Sequence, residues 1–109
     1  MKKLVFISVL SFCVVAVNAQ PGKKVFDEKC VACHSIGGGN KIGPDLKGVG
    51  SRHDDAWLMK WIKSSAAMIK QKDPKALALF KKWKNMPMPD PGLTDAQIKD
   101  VIAYIKTKK

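Results

Sequence analysis

Cys30-Val31-Ala32-Cys33-His34 is the stretch on which the reading of this chain turns. Two thiols stand two residues apart, and an imidazole follows at once. That pattern is the attachment signature of a c-type haem. Each thiol is able to add across one haem vinyl group to form a thioether, and the adjacent imidazole is then held beneath the iron as an axial ligand. The segment implies one haem c, covalently bound through Cys30 and Cys33 and ligated by His34.

Other uses of a Cys-x-x-Cys pair fit less well. A structural zinc site needs four ligands, and the chain has only three Cys and two His. Cys13 lies in a segment read below as removed, so His53 and carboxylates would have to complete the site. A thioredoxin-like redox pair sits in a strand–helix–strand setting, and no alternating β-branched run precedes Cys30. A plain disulfide would close a very short loop and leave His34 unexplained.

Residues 1–19 read as a secretory signal peptide. Lys2 and Lys3 make a basic start, Leu4 to Val17 is an unbroken apolar or small run, and Val17-Asn18-Ala19 offers small residues for cleavage after Ala19. A permanent anchor would need about 20 apolar residues, more than this run supplies. Residues 20–109 are then expected to be a single exported, periplasmic domain with no stable membrane insertion. Export agrees with the haem reading, because covalent haem attachment in bacteria takes place outside the cytoplasm.

The charge speaks to partners. The full chain carries +11. Loss of Lys2 and Lys3 leaves about +9, and two haem propionates bring it to about +7. Lysine supplies nearly all of it, with Arg52 the single arginine. A hydrated ammonium suits long-range steering better than bidentate locking. No nucleic-acid-binding module is recognisable. Acidic partner proteins are therefore expected, while most individual lysines are ordinary solvated helix faces.

Periodicity predicts an all-α chain with four helical patches. The first runs from about Gly22 to Cys30. Gly37 to Gly50 is glycine-rich and reads as a loop. The second patch begins near Asp54 or Asp55 and carries Leu58, Trp61, Ile62 and Ile69 on one stripe. Met59 and Met68 within it read as core fillers. The third follows an Asp73 N-cap and Pro74 at the first helical position, running from Lys75 to Lys84 with Ala76, Phe80 and Trp83 on one face. Met86-Pro87-Met88-Pro89-Asp90-Pro91-Gly92 must be an extended, stiff loop. Thr94 and Gln97 form a capping-box pattern for a last helix whose apolar face is Ile98, Val101, Ile102 and Ile105. A soft, neutral thioether as sixth ligand raises the potential of a haem and closes its iron. Both Met86 and Met88 are placed to supply one.

Taken together, these motifs resemble the small class I cytochromes c of bacteria, over nearly all of residues 20–109. The resemblance implies the cytochrome c fold, four to five helices wrapped around one haem. Gly22, Phe26 and Tyr104 match the family's contact between first and last helices. Gly43-Pro44-Asp45-Leu46 looks like its Gly-Pro-x-Leu loop, in which the Pro44 carbonyl would accept the ring N–H of His34 and orient it. The distance from Met88 to Thr94 matches the usual spacing from ligand methionine to helix cap and favours Met88 over Met86. Arg52 resembles the family's propionate-binding arginine, and His53 stands beside it as a candidate propionate contact or alternative imidazole ligand. Trp57 and Trp61, four apart, would wall the haem, with either indole N–H available to a propionate. The implied function is electron transfer by a soluble, monomeric, single-haem carrier docking on acidic oxidase or reductase faces through a lysine-rich haem edge. The alternatives are a haem subunit held permanently in a larger respiratory or reductase complex, and a haem enzyme or gas binder with an open sixth position.

Overall fold

The computed structural model describes residues 21–108 and the single residue Val5. The signal-peptide reading falls, apart from Val5, outside the described residues. Among those described there is no β-strand, and no helix is long and apolar enough to cross a membrane. The elements are α1 (Pro21–Lys29), α2 (Val49–Arg52), α3 (Asp55–Lys63), α4 (Ser65–Lys70), α5 (Pro74–Lys82) and α6 (Asp95–Thr107).

The most extensive packing is between α1 and α6. On α6, Ile98, Val101, Ile102 and Ile105 are buried. Their spacing of three, one and three puts them on one stripe. They meet Val25 and Phe26 of α1, and the Phe26 ring lies tilted against Tyr104 with centroids 5.9 Å apart. Gly22 is the point of closest approach. A Cβ built there would lie 2.1 Å from the Asp100 carbonyl oxygen and 2.7 Å from Tyr104 Cβ. The glycine is required because the partner at that point is backbone, which cannot swing aside. The ion pairs Lys23–Asp27, Lys63–Asp95 and Lys106–Asp55 are all exposed and add little beside this apolar contact.

Among the described residues six helices replace the expected four to five, for two local reasons. Val49–Arg52 forms one helical turn at the end of the glycine-rich stretch, entered through Gly48 at φ 74°. The expected second helix is divided at Ser64. Its backbone is extended (φ −160°, ψ 92°), and its hydroxyl accepts from the Ala67 amide at 3.2 Å as the cap of α4. Serine competes for its own backbone in this way more readily than it continues a helix. The third helix stops at Lys82, two residues early, because Lys84 and Asn85 turn to positive φ (56° and 59°). The Asp73 cap on Ala76, with Pro74 next, and the Thr94/Gln97 box fall where the sequence placed them, and Asp54 caps α3 by accepting from the Trp57 amide.

The glycine-rich stretch is ordered by one carboxylate. Asp45 accepts from the amides of Gly37, Gly39 and Lys47 at 2.8–2.9 Å, while its own amide donates to Asn40 Oδ1. The Gly37, Lys47 and Gly39 amides hold the Asp45 carboxyl below its ordinary value of 3.8.

Two predictions follow from these contacts. Gly22→Ala should lower stability by at least about 1–3 kcal/mol, the usual cost of overpacking, despite alanine's better helix propensity. The midpoint of denaturant unfolding measures it. For Asp45 the folded-state value is depressed, so its contribution is present above pH 3.8 and is lost as pH falls through the folded value. The stability gap between the protein and Asp45→Ala should be widest near neutral pH and narrow in acid. A gap that stays constant down to acid unfolding would contradict this role.

Candidate haem site

The Cys30–His34 segment is not a free loop. The Cys30 and Val31 amides donate to the Phe26 carbonyl, and the Cys33 and His34 amides donate to the Cys30 carbonyl. The motif thus continues the last turn of α1 and inherits its position from the α1/α6 contact. Three bonds then strap the Gly-Pro loop across it. Gly43 N donates to Cys33 O at 2.7 Å and Leu46 N to Ser35 O at 2.9 Å. Between them, His34 Nδ1 lies 2.8 Å from Pro44 O. A carbonyl only accepts, so Nδ1 carries the proton and Nε2 keeps its lone pair.

Gly43 has a role that sequence reasoning did not assign. A Cβ there would sit 2.5 Å from His34 Cε1 and 2.9 Å from Nδ1. The imidazole lies directly over the glycine, which admits it by having no side chain. The signal was present in the Gly-Pro dipeptide, but only the approach of the ring explains it.

Cys30 and Cys33 are both partly buried and are not bonded to each other. Burial, with a smaller contribution from Cys33, pushes the Cys30 thiol up to about 11. A redox-active pair needs a lowered thiol pKa, and the shift at Cys30 runs the other way. Among the described residues no three His, Cys, Asp or Glu side chains are grouped to hold a metal ion.

The other expected contacts are partly redistributed. Arg52 Nη1 donates to Lys47 O at 2.9 Å and Nη2 to Asp45 O at 3.3 Å, so its guanidinium closes the loop that carries Pro44. Trp57 is buried, and its indole N–H donates to Asp73 Oδ1 at 3.0 Å. This indole, and then the Ala76 amide, hold the Asp73 carboxyl below its ordinary value. The rings of His53, Trp57 and Trp61 form a stack, with centroids 4.1 and 5.2 Å apart. Met88 is half-buried whereas Met86 is 59% exposed. Ser65, which sequence reasoning passed over, is 1% exposed and donates its hydroxyl to Met88 O at 2.6 Å. Met68 is in the core, as expected, and Met59 packs at its edge.

These residues fit a haem. The imidazole is fixed with its outer nitrogen available. His53 Nδ1 is enclosed with no hydrogen-bond partner, an orphaned polar atom of the kind a haem carboxylate satisfies. Burial, then Lys75 and Arg52, press the His53 ring towards its neutral form. Partly buried apolar side chains around the core, among them Ile36, Leu46, Trp61, Ile69 and Leu79, come from the loop after the Cys30–His34 motif and from α3, α4 and α5.

Comparison with known proteins gives the same picture. The family model for cytochrome c matches residues 19–109. Cytochrome c2 of Blastochloris viridis is 37% identical, covering 97% of this chain and 93% of the relative. Cytochrome c2 of Rhodospirillum rubrum is 35% identical, covering 84% and 82%. Among solved structures, the cytochrome c domain of a Pseudomonas putida protein is 37% identical with a TM-score of 0.71, covering 79% of this chain and 85% of the other. Cytochrome c from Rhodothermus marinus superposes with a TM-score of 0.75 at 26% identity, covering 98% and 86%. This chain belongs to the cytochrome c family: it is an electron-transfer protein and not an enzyme, all-α in fold, with Cys30 and Cys33 as the attachment points of one haem c.

Proposed function

We propose that the protein is a soluble, monomeric carrier that moves single electrons between acidic redox partners in the periplasm, residues 20–109 forming its one domain after removal of residues 1–19. The observation that carries this reading is the His34–Pro44 bond beside the paired cysteines. It presents one imidazole nitrogen in a fixed direction, as an axial ligand requires. When bound, the haem supplies an iron that gains and loses one electron without forming a bond to a substrate. Cys30 and Cys33 hold it, His34 and Met88 are its metal ligands, and Pro44 keeps His34 in the correct tautomer. Arg52 supports the same loop, and Trp57 and Trp61 form part of the wall. With Met88 as well as His34 holding the iron, the soft sulfur would favour the reduced state and would exclude gas or peroxide.

The choice of Met88 rests on its half-buried position and its bond to α4, against the exposure of Met86. The docking reading rests on α5. Lys75, Lys81 and Lys82 are exposed on that helix, Lys84 follows it, and none of them belongs to the ion pairs of the described residues. Unpaired ammonium groups on one surface raise encounter rates with an acidic face.

Ferric Met88→Ala should lose the weak far-red sulfur-to-iron band and bind carbon monoxide readily when reduced. Met86→Ala should keep the band and resist carbon monoxide. The opposite pattern would transfer the ligand role to Met86. Electron transfer with an acidic partner should slow steeply as salt rises. Lys81→Glu with Lys82→Glu should flatten that dependence and reduce the rate several-fold at low salt. A rate indifferent to salt, or a protein that remains with a membrane complex during gel filtration, would replace the diffusible carrier with a resident subunit.

A further inference from the structure

The Met86–Gly92 loop has little structure of its own. Pro87, Pro89 and Pro91 have no amide hydrogen to donate. The last backbone bond before it is Met86 N to Trp83 O, and Gly92 N bonds only to Asp90 within it. Among the described residues, one hydrogen bond ties positions 87–91 to another element: Ser65 Oγ to Met88 O at 2.6 Å. Ser65 is also the one buried polar side chain there. It occupies the first position of α4, immediately after the break at Ser64. The break divides the work of the serine pair. Ser64 caps the helix with its hydroxyl, which leaves the Ser65 hydroxyl to reach 23 residues along the chain. A continuous helix from Asp55 to Lys70 would not set this geometry.

We propose that Ser65 is a positioning residue for the sixth ligand: by holding the Met88 peptide against α4 it sets how firmly the methionine sulfur is presented to the iron. This rests on the reading of Met88 as ligand. Pro87 and Pro89 stiffen the peptide on both sides, so an anchor at one carbonyl constrains the whole short segment. Without the hydroxyl, the Met88 carbonyl loses its partner and the loop gains freedom to move away. The sulfur then competes less well with any other ligand.

The test uses ferric holoprotein titrated with imidazole, alongside the far-red sulfur-to-iron band. Ser65→Ala should bind imidazole about three- to tenfold more tightly, the scale of one lost hydrogen bond, with the band weakened and the midpoint potential lowered. Ser65→Gly removes the same hydroxyl and should shift affinity in the same direction. Val101→Ala, which cuts the α1/α6 core and removes no hydrogen bond to the loop, should lower stability while leaving imidazole affinity and the band unchanged. If Ser65→Ala and Val101→Ala behave alike in both readouts, Ser65 is only structural and the proposal falls. Met88→Ala separates the two layers. Loss of its band with no imidazole effect in Ser65→Ala refutes the positioning role alone, whereas a band that survives in Met88→Ala overturns the ligand reading and the positioning role with it.

Discussion

The hydrogen bond from His34 to Pro44 O is the constraint on which the rest of the site depends. It selects the tautomer and fixes the plane of the ring, and it requires the Gly43 backbone to pass directly beneath the imidazole. That approach in turn requires the loop to keep its shape. Asp45 gathers the amides of Gly37, Gly39 and Lys47, and Arg52 ties off the carbonyls of Asp45 and Lys47. Each of these interactions is partly or fully exposed, and each alone is weak. Their combined effect is geometric: they leave the Pro44 carbonyl one place to point.

Much of this was legible in the sequence, because the decisive features are local. Five consecutive residues named the cofactor. The spacing of Ile98, Val101, Ile102 and Ile105 named the buried face of α6, and Asp73-Pro74 named the start of α5. What the sequence did not disclose depends on contacts between distant segments. Gly22 and Gly43 are recognisable as glycines, but the carbonyl and the imidazole that exclude a Cβ come from residues 78 and 9 positions away. Nothing in the sequence pairs the Trp57 indole with Asp73, and only the folded chain brings the two within reach. Ser64 and Ser65 interrupt an otherwise good apolar stripe, which periodicity alone tolerates. The break is visible only when the Ser64 hydroxyl is seen capping α4 and the Ser65 hydroxyl reaching Met88.

The two sides of the site are held by different means. His34 is gripped from within its own neighbourhood, by a carbonyl ten residues away on a loop bonded to the motif at three points. Met88 is held across a longer span, by one hydroxyl on a separate helix. Fluctuations that open a structure locally begin where few bonds must break. They will therefore act first on the methionine loop and last on the histidine, which is also joined to the cofactor through neighbouring cysteines. The asymmetry suits a carrier. The strong side would preserve the cofactor's orientation, and on the proposal that Met88 is a ligand the weaker side is where ligand strength, and through it the potential, would be adjusted.

The same division bears on charge. A chain with +11 and few paired lysines works against its own compactness through self-repulsion. Its core is modest: eleven buried apolar residues among those described, concentrated where α1 and α6 cross. A covalent cofactor offsets this in two ways. It adds apolar surface that the partly buried side chains of α3, α4 and α5 can cover, and its carboxylates reduce the net charge. The surface is thereby free to carry exposed lysines, since stability is drawn from the interior and from the bonds that attach the cofactor.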